Sequence, residues 1–227
     1  MTAGLRLVLP IVCLLAAGAA RATWPSVSTE LPATGIGAND AAVIVGVTDY
    51  AFLPKIPGAA DNATDWFRYL VKTRGVPQER VHMLRNIDAT AETILEAVDR
   101  AASEVQPGGA LWFLFIGHGA PAPDHADGLV LGADTQVSEK SLVARGVPQK
   151  AILERLEQGR HAQAIVMFDA CFSGTTGDGK LQLVPGSQAT VPVRRVEVAA
   201  GRSSIFSASD QVAGPLPNHD RPAFSYL

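Results

Sequence analysis

The chain has 227 residues and a formal net charge of −3. It carries no basic run, which argues against a nucleic-acid partner. Its two cysteines, Cys13 and Cys171, are too few for a disulfide framework.

Residues 1–22 predict a secretory signal. Arg6 marks a short n-region, Leu7 to Ala17 an apolar stretch, and Ala20-Arg21-Ala22 an A-x-A-like cleavage end. A retained anchor is the alternative, although the apolar stretch is short for a spanning helix. Lipidation at Cys13 is disfavoured because the preceding Val12 is not small. Cleavage after Ala22 removes Arg6 and Arg21 and no acid, so the charge moves from −3 to −5. It leaves about 205 residues, enough for one domain with a real core. It also leaves Cys171 alone, as a reactive thiol, one half of an intermolecular bridge, or a small buried hydrophobe.

Residues 23–40 are rich in Pro, Thr, Ser and Gly and predict a linker or draped arm. Ala41 to Val47 is an unbroken apolar run, the first strand. After a proline-containing loop, Ala63, Trp66, Phe67, Leu70 and Val71 form one helical face that ends at Gly75-Val76-Pro77. Val81 to Leu84 predicts a second strand. Thr90 can cap a helix whose inner face is Ile94, Leu95, Val98, Ala101, Ala102 and Val105. Ala110 to Gly119, ALWFLFIGHG, is a buried strand that releases His118 into a glycine turn. This β-α-β-α-β order predicts a parallel sheet covered on both faces, an α/β fold in three αβα layers.

Ala120 to Val147 reads as a long loop with one apolar patch, Leu129 to Leu131. Val147-Pro148 opens a helix with Ile152, Leu153 and Leu156 inward. Next comes AQAIVMFDACFSG, Ala162 to Gly174, a strand that ends in an acid, a cysteine and a Ser-Gly turn. Residues 175–201 predict an exposed loop holding Lys180, Arg194 and Arg195. Ser203 to Ser207 is a fifth strand, Gln211 to Pro222 a loop, and Phe224 to Leu227 the start of a further element.

Ligands of an open parallel sheet bind beyond the carboxyl ends of its strands. Cys171 and His118 both emerge there, a thiol and a base that can activate it. Gly119 removes bulk beside His118, so a backbone N–H could reach a developing oxyanion. His82 lies within a strand, His125 and His219 in loops, and His161 at the opposite rim. No closely spaced Cys/His cluster suggests zinc.

FIGHG, DACFSG and the strand AAVIVGVTDY resemble the caspase-like cysteine peptidases of family C14, most closely the bacterial metacaspase-like branch. The resemblance covers about residues 41 to 227. It implies the caspase-hemoglobinase fold, a His118–Cys171 dyad, an oxyanion hole from the backbone of Gly119 and Cys171, and protein substrates. Asp169 matches the acid at the floor of the primary specificity pocket, which implies cleavage after Arg or Lys, since an anion selects a cation. Caspases that cut after aspartate carry a Q-A-C-x-G pattern instead.

The chain departs from that family in four places. Where relatives place an Asn-Asp pair that supplies a second pocket acid, this chain has Asp61-Asn62, with Asp61 as the candidate substitute. Ile116 stands where many relatives have a small or hydroxyl pocket residue. Asp178 matches one calcium-binding acid, but the set of oxygens that calcium wants is incomplete. The family continues beyond Leu227 with a helix and a strand, so truncation is expected. The expected function is an exported, periplasmic or secreted cysteine endopeptidase, self-processing within residues 175–201. The alternative is a catalytically impaired binding or scaffold domain.

Overall fold

The computed structural model describes residues 26–124, 126–174, 181–183, 202–207 and 220–226. Its centre is a five-stranded, all-parallel sheet built from β1 (Ala41–Gly46), β2 (Val81–Arg85), β3 (Ala110–Ile116), β7 (Gln163–Asp169) and β8 (Ser203–Ser207). The spatial order is β2-β1-β3-β7-β8. The chain steps from β1 outward to β2 and then back across to β3, so the winding reverses between β1 and β3. Crevices beyond the carboxyl ends of strands form at such reversals.

The strands alternate their side chains between two cores. On one face Ala42 and Ile44 of β1 and Trp112, Leu114 and Ile116 of β3 pack with Ala59 and Ala63 of α1 (Ala59–Arg68). On the other, Val43, Val45, Phe113, Phe115 and Phe168 pack with Ile94, Val98 and Ala101 of α2 (Ala91–Glu104) and with Ile152, Leu153 and Leu156 of α4 (Gln149–Leu156). Burial on both faces explains why β1 and β3 read as unbroken apolar runs. The three layers and the parallel sheet agree with the sequence reading.

Thr90 caps α2 as expected. Its hydroxyl accepts from the Thr93 N–H while the Thr93 hydroxyl accepts from the Thr90 N–H, satisfying two orphan donors at once. The first helical face buries Ala63 and Leu70 and half-buries Trp66, Phe67 and Val71. Beyond Arg68, however, the chain continues as a wider π-helical segment, Tyr69–Arg74.

The long loop expected over residues 120–147 is in part regular. β4 (Gly119–Pro121), β5 (Gly128–Leu131) and β6 (Gly146–Pro148) form a second, antiparallel sheet with β5 in the middle, and α3 (Glu139–Arg145) leads into β6. Strands of three or four residues are too short to show a period in sequence. The Leu129 to Leu131 patch was their trace. Pro148 closes β6, and α4 begins one residue later.

At the amino end of the sheet Asp40 is buried and joins three elements. It accepts from the Ala110 N–H at 2.7 Å and from the Trp112 indole at 3.1 Å, and it pairs with Arg74, whose guanidinium lies over the Trp112 ring. Residues 26–40 run along this body, with the N–H of Thr34 and of Gly37 donating to the carbonyls of Thr73 and Arg74. The signal sequence expected over 1–22 and, apart from residues 181–183, the loop expected over 175–201 lie outside the described residues. Among the described residues, no helix is long and apolar enough to cross a membrane.

Candidate active site

β3 and β7 are neighbours, and their last register pair is Ile116 with Asp169. The Gly117 N–H continues the ladder to the Asp169 carbonyl at 3.1 Å. His118 and Cys171 therefore each stand two residues past the same pair, side by side at the carboxyl rim. His118 is 6% exposed, whereas Cys171 is half-buried. A buried imidazole thus stands at the same level as a half-buried cysteine.

The neighbours of Cys171 hold it there. Phe172 is fully buried and meets the Phe168 ring edge-on at 6.1 Å. Gly119 opens β4 beneath it. A Cβ added at Gly119 would lie 2.8 Å from the Phe172 ring and 2.9 Å from the Cys171 carbonyl oxygen. Only a residue without Cβ lets the two backbones pass this closely.

His118 is held on three sides. Its N–H donates to the Tyr50 hydroxyl at 2.7 Å, its carbonyl accepts from the Leu131 N–H at 3.0 Å, and its Nε2 meets the Pro54 carbonyl at 2.8 Å. A carbonyl only accepts, so Nε2 carries a proton and Nδ1 is the basic nitrogen of the neutral ring. Tyr50 and Pro54 both lie on the loop after β1. Asn86, whose side chain accepts from the N–H groups of Thr48 and Asp49, secures the start of that loop. The loop reaches His118 because the winding reverses between β1 and β3.

Asp169 is 3% exposed. Its Oδ2 accepts from the Ser225 N–H at 2.8 Å. Burial pushes the carboxyl above its ordinary value, and the Ser225 bonds pull it partly back. Ser225 belongs to α5 (Ala223–Tyr226). Asn62, fully buried on α1, donates to the Ser225 hydroxyl at 2.7 Å and to the Pro222 carbonyl at 2.9 Å. Asn62, Ser225 and Asp169 thus form one chain of bonds. Asn62 Oδ1 and Asp169 Oδ1 are buried acceptors without a partner among the described residues. The Trp66 indole holds the Ser225 carbonyl, and Arg221 pairs with Asp65.

Of the residues singled out in sequence, the rim gathers His118, Gly119, Asp169, Cys171 and Ile116, the last fully buried on the α1 face. Asp61 is exposed and lies outside the Asn62–Ser225–Asp169 chain. His82 pairs with Glu104, and His161 is buried before the amino end of β7. His125, Asp178 and His219 lie outside the described residues. Among the described residues no group of three or more His, Cys, Asp or Glu could hold a metal ion. Two contributors were not foreseen. The Pro54 carbonyl has no sequence signature, since every residue offers one. Tyr50 stood inside a quoted motif, but nothing in one dimension joined it to His118.

The model of the metacaspase, peptidase C14 domain matches residues 41–180, more than half of the chain. The chain belongs to the metacaspase family of C14 peptidases. Members of that family are cysteine-dependent peptidases. A solved protein from Geobacter sulfurreducens is similar at 20% identity, with a TM-score of 0.49, over 60% of this chain and 52% of that one. Caspase-1 from Spodoptera frugiperda is similar at 14% identity, with a TM-score of 0.38, over 66% and 55%. This metacaspase spans about half the length of these solved structures. No curated protein matches it. Its three-layer parallel architecture is of the caspase-hemoglobinase type.

Proposed function

We propose that this protein is an exported cysteine endopeptidase that hydrolyses peptide bonds after Arg or Lys through a His118–Cys171 dyad. The observation that carries the reading is the shared position of the two residues. Each stands two residues beyond the Ile116–Asp169 pair, with the imidazole oriented by the Pro54 carbonyl.

In this mechanism Nδ1 of His118 takes the thiol proton, while Nε2–H stays on the Pro54 carbonyl. The Cys171 thiolate attacks the scissile carbonyl carbon. The backbone N–H groups of Gly119 and Cys171 stabilise the oxyanion. Nδ1–H then delivers its proton to the leaving amine, which leaves a thioester on Cys171. His118 next takes a proton from water, the hydroxide displaces the thiolate, and the acid product departs. No step is routed through calcium.

Asp169 supplies the negative charge that would hold a cationic substrate side chain, and its buried Oδ1 is the acceptor available for it. Asn62 contributes an amide oxygen where an acid would double that charge. Among the described residues the pocket then carries one carboxylate, and Asp61 is exposed outside the Asn62–Ser225–Asp169 chain. Self-processing at Lys180, Arg194 or Arg195, and export directed by residues 1–22, complete the reading.

The test is turnover of Arg-, Lys- and Asp-ending fluorogenic peptides by the mature protein and by Cys171→Ala. Arg or Lys cleavage that disappears in Cys171→Ala is expected. A preference for Asp, or equal turnover in the variant, overturns the proposal. One observation favours a non-catalytic binding domain instead: Ser225 already engages the Asp169 carboxyl. Rapid labelling of Cys171 by an Arg-directed alkylating inhibitor would exclude that alternative.

A further inference from the structure

We propose that Tyr50 is a positioning residue for His118, one whose hydroxyl sets the orientation of the imidazole against the Pro54 carbonyl. The proposal rests on the reading of His118 as the general base, and it concerns a residue that makes no contact with substrate in that reading.

Tyr50 is 8% exposed and lies on the loop after β1. Its hydroxyl accepts from the His118 N–H at 2.7 Å and donates to the Leu131 carbonyl at 3.4 Å. Its ring stands 4.8 Å from the His118 ring, tilted by 52°. The hydroxyl also fills the space beside Gly117, where an added Cβ would meet it at 2.5 Å. One phenol therefore touches the residue before His118, the His118 backbone and the His118 ring.

The chemistry of the hydroxyl matters as much as its place. Only a neutral phenol can accept from one backbone group while donating to another. Burial raises the Tyr50 pKa far above its ordinary value, so the phenol stays protonated. The Leu131 strand closes the loop of contacts, since its N–H donates to the His118 carbonyl while its own carbonyl accepts from Tyr50. The peptide on either side of His118 is thereby pinned from two separate elements. The ring swings about a backbone that cannot tilt, and Nε2 meets the Pro54 carbonyl at 2.8 Å. A phenylalanine would keep the ring contact but leave a buried N–H without its acceptor. The peptide would then turn toward another partner and take the imidazole with it.

The experiment compares the complete protein with Tyr50→Phe by two readouts. The first is the 15N spectrum of the histidine rings, with His118 assigned from its loss in His118→Gln. Wild type should hold the Nε2–H tautomer, and Tyr50→Phe should show a mixture. The second is steady-state kinetics on an Arg-ending peptide, where kcat should fall about tenfold with KM unchanged within twofold. If Tyr50→Phe folds to a lower melting temperature yet keeps the wild-type tautomer and kcat, Tyr50 is core packing only and the proposal is overturned. If Tyr50→Phe does not fold, 3,5-difluorotyrosine at position 50 keeps the shape and weakens the oxygen as an acceptor. An unchanged tautomer in that variant also overturns the proposal. Wild type that turns over no Arg or Lys peptide defeats the peptidase reading alone, because the tautomer readout still decides the role of Tyr50.

Discussion

Replacing Gly119 with alanine tests whether the close passage of β4 under Cys171 holds the site together. The new Cβ would sit 2.8 Å from two carbons of the Phe172 ring and 2.9 Å from the Cys171 carbonyl oxygen. Carbon contacts are optimal near ~3.5 Å or more, so the site must open by roughly 0.7 Å. Phe172 is fully buried and has nowhere to retreat. Overpacking of this kind costs about 1–3 kcal/mol. In a domain of this size that lowers the melting temperature by roughly 2–4 °C per kcal/mol. The strain also falls on the Cys171 backbone, and misplacement by ~1 Å costs about a hundredfold in rate. About half that displacement implies a kcat loss of roughly tenfold. Gly128→Ala is the matched control. Its Cβ would meet the same Phe172 ring at 2.7 Å and the Gln149 amide at 2.6 Å, with no Cys171 backbone atom among its three nearest contacts. Thermal unfolding and peptide turnover should show comparable destabilisation in both variants and a larger kcat loss in Gly119→Ala. Wild-type turnover in a folded Gly119→Ala, or equal loss in both, would refute the reasoning.

Two further perturbations address the pocket acid and the amino end of the sheet. Burial holds the Asp169 carboxyl of the folded state above its ordinary 3.8, so the folded protein keeps this proton longer than the unfolded chain. As pH rises past 3.8 the stability contributed by the protonated carboxyl is lost, until the folded-state group has titrated. In Asp169→Asn, which retains an acceptor for the Ser225 N–H, that loss is absent. Urea unfolding from pH 4 upward should therefore show the wild type losing ground to the variant, and a constant difference between them would contradict the assignment. Asp40→Ala removes the partner of Arg74 together with the acceptor of the Ala110 N–H and the Trp112 indole. Breaking a buried pair this way costs about 3–5 kcal/mol. A loss below about 1 kcal/mol by urea titration would show that Arg74 finds solvent instead.

Much of the fold was legible because its signals are local. β1, β3 and β7 are buried on both faces, so each reads as an apolar run, and their carboxyl ends carry the turn chemistry that flags His118 and Cys171. The Thr90 cap and the inner face of α2 follow from side chains within a few residues of one another. The second sheet was hidden because β4 and β6 span three residues each, and only their pairing with β5 defines them. The π-helical widening after Arg68 has no sequence counterpart either.

The sequence by itself determined the alternation of strands and helices, the thiol and imidazole at strand ends, and the acid two residues before the cysteine. These properties depend on burial period and residue type, which a one-dimensional pattern records. Only the tertiary structure decided that His118 answers to Pro54 and Tyr50, 64 and 68 residues earlier in the chain. It also decided that Asn62 rather than Asp61 meets Asp169 through Ser225, 163 residues from Asn62. Those contacts exist because the sheet reverses its winding between β1 and β3, which carries the loop after β1 and the first turns of α1 to the rim where β3 and β7 end.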